Sequence, residues 1–517
     1  MTFSEKIIYG VCWSTLVLLL NFGIARYQFS ALLGVYTLAF ILYALIIKRV
    51  QAQDVSFFIF VAVLVRAVVV FSSPQFSDDI YRFLFDGNLT THGINPFFST
   101  PREIIPTLPD TTFQFLFSHI NSPDYYSVYP PVCQFLFASA ARVFPQSVTA
   151  QIFLLKFFIF LFEGGVLGIG YQASGIRHQV SSIKQFFFTQ PWKGLKPFQG
   201  LYETTDNRQS SKNYFYHQLL KGLKPFKNLF TTTNIHQPST VNHQPATKIL
   251  WYALNPLVIT ELCGNGHTEG IRVFFLLGAI CFFRKALNNN SGNLFFLSAL
   301  FMSLSIATKL LPLMLLPFLM RYVTLKQFAK YMGVVVGLSV IFFLPFYSTV
   351  LVAHIGNSLG LYFGRFEFNA SIFYVLRAFD FWRLGYDNIA VITPKLIGAT
   401  ILFIAYLVWR QFKNTNTASN FSGFWKYALA TLCFYFLCAT TVHPWYAVVP
   451  LACTMFTNFR FPMLWTYTIV FTYAGYVQGS SQHTENFWWI AAEYLSVIIF
   501  AALEFWNKRN ENSRLGV

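Results

Sequence analysis

An all-α bundle of about 12–14 membrane-crossing helices is the fold class that this sequence predicts. Three observations predict it. Hydrophobic residues make up 55% of the 517 positions and charged residues only 11%, with a mean hydropathy of +0.48; soluble domains carry about 25% charge. Apolar runs close to the length of a bilayer span recur along the whole chain. Lys and Arg cluster at the ends of those runs, as in membrane proteins whose cytoplasmic loops are basic. Aromatic residues, 19% of the chain and including 62 Phe, suit lipid-facing helices and interfacial belts.

In chain order the expected spans are 7–24, 29–47, 55–73, 149–172, 249–264, 270–287, 293–308, 310–322, 331–348, 393–411, 424–441, 444–458, 461–478 and 487–506. The stretches 293–322 and 444–478 are short for their number of spans and can be divided differently. The first run, Ile7 to Phe22, lacks a small-residue cleavage site and is expected to be a retained span. Three regions follow: 1–172, N-terminal helices with a large loop at 74–148; 173–248, a polar insertion; and 249–517, the remaining helices with a second loop at 349–392.

Charge sets the expected orientation. Lys6, Lys48-Arg49, the 173–248 segment, Arg284-Lys285, Arg321, Lys326, Lys330, Arg410, Lys413, Arg460 and Lys508-Arg509 fall on one side, the cytoplasmic one. Arg26 is the basic outlier. The apolar stretch Tyr129 to Phe144 must then stay on the outer face as an amphipathic or re-entrant helix, which Arg142 favours. The outer loops become 74–148, 264–270, 349–392, 441–444 and 479–486, and the plasma (inner) membrane is the expected location.

The net charge of +17 does not point to nucleic acid. Residues 173–248 hold ten Lys/Arg and two Asp/Glu, so 10 − 2 gives +8 from that segment, and the rest follows the positive-inside pattern. The same segment duplicates a motif: Gly194-Leu195-Lys196-Pro197-Phe198 returns as Gly222-Leu223-Lys224-Pro225-Phe226. Two copies make no solenoid, and the composition predicts a disordered cytoplasmic insertion. The seven cysteines show no metal-ligand spacing and no disulfide framework is expected.

The densest polar stretch is Ser77-Asp78-Asp79-Ile80-Tyr81-Arg82-Phe83-Leu84-Phe85-Asp86-Gly87. As a helix it places Asp78, Arg82 and Asp86 on one face, with Asp79 beside them. It is either an internally paired, solvated helix or an acidic catalytic patch at the membrane surface. Asp78 or Asp79 suits a general base or a divalent-cation ligand; desolvation favours the base, and a nearby Arg82 opposes it. His267 and Glu269 sit in a Gly-rich turn after Asn255-Pro256, where close backbone approach lets them bond sugar hydroxyls. Lys309 and Arg365 suit phosphate oxygens or snorkelling. His443-Pro444-Trp445-Tyr446 sets a titratable ring among belt aromatics. Asp124 is read as an ordinary turn residue. Lys156, Glu163 and Arg66 lie inside spans and need partners there. No Walker loop, dinucleotide fingerprint, HExxH or nucleophile elbow is present.

Taken in order, Ser77-Asp78-Asp79-Ile80-Tyr81-Arg82, Asp86-Gly87, Gly93-Ile94-Asn95-Pro96, Tyr129-Pro130-Pro131, Asn255-Pro256-Leu257-Val258, Gly264-Asn265-Gly266-His267, Ala307-Thr308-Lys309-Leu310, Phe368-Asn369-Ala370-Ser371 and His443-Pro444-Trp445-Tyr446 resemble the GT-C superfamily of integral-membrane glycosyltransferases. The likeness is greatest to the polyprenyl-phosphate-mannose-dependent mannosyltransferases, and it runs from about residue 55 to 450 without 173–248. It implies a GT-C-like bundle and transfer of one sugar, mannose, from a polyprenyl-phosphate donor to a lipid-linked or glycan acceptor on the non-cytoplasmic face. It implies Asp78 and Asp79 as catalytic residues, and Arg82, Asp86, His267, Glu269, Lys309, Arg365, Asn369 and His443 as substrate-binding ones. Thr268-Glu269 stands where Asn-Asp is common in the family. The expected partners are the donor, the acceptor and membrane lipids, with no nucleic acid. No cofactor is required, because a monophosphate leaving group needs little charge neutralisation, although adjacent aspartates leave a divalent metal open. The alternatives from other classes are a lipid-linked-glycan transporter or flippase, and a non-catalytic subunit of the same fold.

Overall fold

The computed structural model describes residues 1–173, 246–364, 366–414, 421–477 and 483–514. The chain divides into two compact units, Met1–Leu167 with Thr247–Val517, and Gly168–Ala246. The duplicated motif and the expected insertion fall outside the described residues, as does Arg365. Almost all of the described residues belong to the first unit.

Among the described residues the chain is all-α, with two isolated bridges and no strand. Three helices come first: α1 (Phe3–Gly23), α2 (Phe29–Arg49) and α3 (Val55–Val69). The 74–148 region folds into α4 (Asp79–Thr91), α5 (Pro101–Ile104), α6 (Thr111–His119) and α7 (Pro131–Val143), and α8 (Val148–Ala173) follows. Beyond residue 246 come α9 (Ile249–Ala253), α10 (Pro256–Val258), a π-helical turn at Ile259–Gly264, α11 (Glu269–Asn289) and α12 (Gly292–Ile306). A 3-10 stretch at Leu311–Tyr322 leads to α13 (Leu325–Phe343), α14 (Leu351–Gly364), α15 (Ile372–Leu384), α16 (Ile389–Lys413), α17 (Ser422–Cys438), α18 (Val448–Thr454), α19 (Phe461–Thr468) and α20 (Phe487–Arg514).

Seven segments are helical, long and apolar enough to cross a membrane: Phe3–Gly23, Phe29–Arg49, Ala52–Val69, Val148–Ala173, Leu325–Phe346, Ile389–Lys413 and Phe487–Lys508. The protein is a multi-pass membrane protein. The other seven expected spans are not single apolar helices of that length, and the reasons are local. At 249–264 the Asn255-Pro256 pair interrupts the helix: proline lacks the N–H, and the Asn255 side chain accepts from Leu257 N to start the next turn. Pro312 and Pro317 accompany the 3-10 geometry of Leu311–Tyr322. Pro444 and Pro462 restart short helices within 444–475. Helix α11 is 21 residues long but carries Glu269, Arg272, Arg284 and Lys285. Helices α12 and α17 have 15 and 17 residues.

At 13 residues α7 is too short for a span, which needs about 20. It lies against α4 instead. Gly87 permits that approach, since a Cβ there would sit 2.4 Å from the Phe137 carbonyl oxygen. Phe83 stacks on Phe137 with ring centroids 4.8 Å apart, a contact worth about 0.5–1.5 kcal/mol beyond area burial.

Arg66, Lys156 and Glu163 all find partners inside the bundle. Arg66 Nε donates to Glu163 Oε2 at 3.2 Å, and Arg66 Nη1 donates to the Ala253 carbonyl at 2.7 Å. Tyr252 OH donates to Glu163 Oε1 at 2.7 Å. Lys156 caps the end of α3 through the Val69 and Ser72 carbonyls. Lys156 and Glu163 therefore bond to neighbouring helices rather than to each other. Tyr36 and Tyr43 hydroxyls tie α2 to the Thr466 and Trp251 carbonyls, each at 2.6 Å, and Asn255 Nδ2 donates to Thr466 Oγ1. Such interhelical bonds serve where apolar burial alone discriminates little. All seven cysteines are free.

Candidate active site

The backbone just before the aspartates is held by the Asn265 side chain. Asn265 Oδ1 accepts from the backbone N–H groups of Gln75 and Phe76, each at 3.1 Å. That clamp lays the residues just before Ser77 against the 264–267 turn. Gly266, at φ +84°, lets the turn come close, for a Cβ there would lie 2.8 Å from Ile80 Cδ1.

Asp78 occupies the N-cap position of α4 without a side-chain capping bond, and Asp79 is the first helical residue. The two carboxylates turn to different partners. Asp78 Oδ2 accepts from Arg26 Nη2 at 2.5 Å, and the Arg26 guanidinium lies 4.8 Å from the Tyr476 ring centre. The basic outlier of the charge pattern thus has a reason: it neutralises Asp78. Asp79 Oδ1 accepts from Asn121 Nδ2 at 2.8 Å, while Asp79 Oδ2 lies 3.9 Å from His267 Nε2.

Arg82 is not the partner of either. It is buried and donates to Asp86 Oδ1 at 2.8 Å and to the Ser122 carbonyl. Asp86 Oδ2 in turn accepts from Ser127 Oγ and Gln134 Nε2. The shared face expected for Asp78, Arg82 and Asp86 therefore resolves into one Arg82–Asp86 pair that ties α4 to α7 and the 122–127 segment. Asp124 pairs with Arg102 on the exposed surface.

His267 is the centre of the cluster. Its Nδ1 faces two acceptors, the Glu261 carbonyl at 3.0 Å and Glu261 Oε2 at 3.1 Å, so Nδ1 carries a hydrogen and donates. Its Nε2 is buried and has no hydrogen-bond partner. The ring stacks on Trp445 with centroids 3.6 Å apart, and His443 stacks on Trp445 at 4.4 Å. Trp445 thus stacks with two imidazoles. Burial holds His443, in the turn before Pro444, well below its ordinary pKa, and the neighbouring His267, Lys309 and His483 push the same way.

Glu269 opens α11 and is fully buried. Its Oε1 accepts from Lys309 Nζ, and Arg272 Nη2 stands 4.0 Å away. Burial pushes the Glu269 carboxyl up, but Lys309, Arg272 and His267 together outweigh it and leave the net shift downward. Lys309 Nζ also lies 5.4 Å from the Tyr446 ring centre. Three nearby polar atoms, Glu269 Oε2, Arg272 Nε and Arg272 Nη2, are buried without hydrogen-bond partners.

Asn369, in the left-handed region at φ +50°, serves as an anchor. Its Nδ2 donates to Glu493 Oε2 at 3.2 Å and its carbonyl accepts from Tyr494 OH at 2.8 Å. Phe368 pairs with the extended 440–442 segment through two backbone bonds, which sets His443 beside the Phe368 ring. The structure therefore brings Asp79, His267, Glu269, Lys309 and His443 together, attaches Asp78 through Arg26, and leaves Arg82, Asp86 and Asn369 in supporting networks. Among the described residues no group of three or more His, Cys, Asp or Glu is arranged to hold a metal ion.

The residues that sequence reasoning passed over are Glu261, Asn121 and Glu493. Glu261 and Glu493 are lone acids inside apolar runs, which by itself is a signal of a functional or structural site. Asn121 carries no such signal. No protein-family model matches the chain, and no curated protein matches it.

Proposed function

We propose that the chain is a GT-C-type glycosyltransferase that moves a single sugar, mannose on the resemblance, from a polyprenyl-phosphate donor to a lipid-linked or glycan acceptor on the non-cytoplasmic face. The observation that carries this reading is the gap between Asp79 Oδ2 and the unpartnered His267 Nε2, 3.9 Å apart. The two atoms present acceptors side by side, and an acceptor-sugar hydroxyl brought against them donates its one hydrogen to Asp79. Asp79 is the better base of the two aspartates, because Asp78 already accepts from a guanidinium. In the reaction Asp79 takes the hydroxyl proton, the hydroxyl oxygen bonds to the anomeric carbon, and the sugar–phosphate bond breaks with its electron pair going to the phosphate. Lys309, partly exposed beside Glu269, is the cation placed to meet that phosphate.

The test is sugar transfer in proteoliposomes with labelled polyprenyl-phosphate-mannose and an acceptor lipid. Asp79→Asn is expected to slow transfer by about 10²-fold or more, and Asp78→Asn and Arg26→Gln by about tenfold each, as losses of positioning. Unchanged transfer in Asp79→Asn overturns the assignment of the base. The broken helices at 249–264 and 444–475 favour a second reading, a lipid-linked-glycan transporter, since such proteins bind substrate at interrupted helices. Wild-type protein that moves a labelled lipid-linked glycan across the bilayer, and transfers no sugar from any lipid-linked donor, selects it.

A further inference from the structure

The Asp79–His267 gap has a second carboxylate behind it. Glu261 lies in the π-helical turn Ile259–Gly264, a geometry that recurs at functional sites. It is buried, and three neighbours fix its carboxylate. Tyr473 OH donates to Oε1 at 2.7 Å, Asn265 Nδ2 donates to Oε2 at 3.2 Å, and His267 Nδ1 faces Oε2 at 3.1 Å. The Glu261 carbonyl receives both the His267 backbone N–H and the ring Nδ1. The imidazole is thus fixed in one tautomer and one orientation, its free nitrogen aimed at Asp79 and its face clamped by Trp445. Its second nitrogen is left buried and without a hydrogen-bond partner beside the Asp79 carboxylate.

We infer that Glu261 and His267 form a dyad that accepts the proton Asp79 has taken from the acceptor hydroxyl, with Glu261 as the positioning residue. This rests on the reading of Asp79 as the base. In the step, Asp79 Oδ2 and His267 Nε2, 3.9 Å apart in the free protein, close to hydrogen-bond distance once the glycosylated oxygen has moved away. The Asp79 Oδ2–H bond breaks and a His267 Nε2–H bond forms. The imidazolium is stabilised by the Glu261 carboxylate. The proton then leaves to the released phosphate monoester, whose second ionisation lies at about 6 and so accepts it. No other reactant is needed. The charged and titratable groups facing His267 are Asp79 from α4, Glu261 from the π turn, Glu269 from α11, and His443 across the Trp445 ring.

The experiment is the pH–rate profile of sugar transfer for Glu261→Gln, Glu261→Asp, His267→Gln and the Glu261→Gln/His267→Gln double variant, each checked for folding by its detergent melting curve. Glu261→Gln is expected to lower kcat by about 10–100-fold with KM little changed. Its acidic limb should move toward acid, because the imidazolium formed in the step no longer has the Glu261 carboxylate beside it. Glu261→Asp keeps the charge and should keep the wild-type limb, and His267→Gln should lose the limb. The double variant should be no slower than the slower single one. Should Glu261→Gln fail to fold, the limbs of Glu261→Asp and His267→Gln decide alone. A His267→Gln profile with the wild-type limb, or single losses that multiply in the double variant, overturns the dyad. Asp79→Asn inactive beside a wild-type Glu261→Gln profile removes the dyad and keeps the base; Asp79→Asn fully active removes the base itself.

Discussion

Replacing Glu163 by Gln should be among the most damaging single changes outside the candidate site. The Arg66 and Glu163 side chains are 1% and 0% exposed, with Nε and Oε2 3.2 Å apart. At an effective dielectric constant of about 20, two unit charges at that distance attract by roughly 332/(20 × 3.2), or about 5 kcal/mol. Gln retains an oxygen for Tyr252 OH, so that bond survives. The Arg66 charge remains buried, however, with only the Ala62 and Ala253 carbonyls to solvate it. The expected destabilisation is about 3–5 kcal/mol, the usual consequence of removing one half of a buried pair. Removing both halves with apolar residues, Arg66→Met with Glu163→Leu, should restore most of the loss, because neither desolvation penalty then applies. Reversible unfolding of the purified protein in mixed micelles gives both values. A Glu163→Gln protein as stable as wild type, or a double variant as unstable as the single one, refutes the reasoning.

Gly87→Ala should separate α4 from α7, since the new methyl would sit 2.4 Å from the Phe137 carbonyl oxygen. A cost of about 1–3 kcal/mol is expected, together with slower sugar transfer on the function proposed, since α4 carries Asp79; an unchanged melting temperature rules this out. In the 349–392 loop, burial pushes the Glu367 carboxyl up to about 7, with Arg377 opposing and Asp387 and Glu485 adding to the rise. A carboxyl whose folded pKa lies above its unfolded value of 4.5 holds more protons when folded than when unfolded between those two values. Its contribution to stability is therefore most favourable below pH 4.5, falls as pH rises toward 7, and is constant beyond. Glu367→Gln should flatten that part of the stability–pH curve, and a curve of unchanged slope refutes it.

How much of the protein is legible in its sequence depends on the length scale of the cause. Composition and apolar runs are properties of single segments, and they lead directly to an all-α multi-pass chain. Of the seven expected spans that are not long apolar helices, those at 249–264 and 444–478 fail for causes one or two residues wide, such as Asn255-Pro256 and Pro444. Span length averages over those. The site is legible as a set of residues and not as a set of pairings. Spacing places Arg82 near Asp78, Asp79 and Asp86 alike, and only packing against Ser127 and Gln134 assigns it to Asp86. Arg26 stands out as a charge on the wrong side, and its partner lies 52 positions away. Glu261 is marked in the sequence as a lone acid in an apolar run, but its partner is not; that comes from His267 folding back over the same turn.

The Asn265 clamp also has a bearing on how the protein is made. It joins positions 190 apart in sequence, and the whole 174–245 stretch must leave the ribosome before it can close. The aspartates emerge early, then wait for Asn265 and His267 before they have a setting to sit in. The bonds that complete that setting are non-covalent, as are Asn21 to Thr260 and Arg66 to the Ala253 carbonyl. Two polypeptides divided within 174–245 and expressed together should therefore find each other and rebuild the cluster, which makes this chain a candidate for a split reporter of membrane-protein assembly.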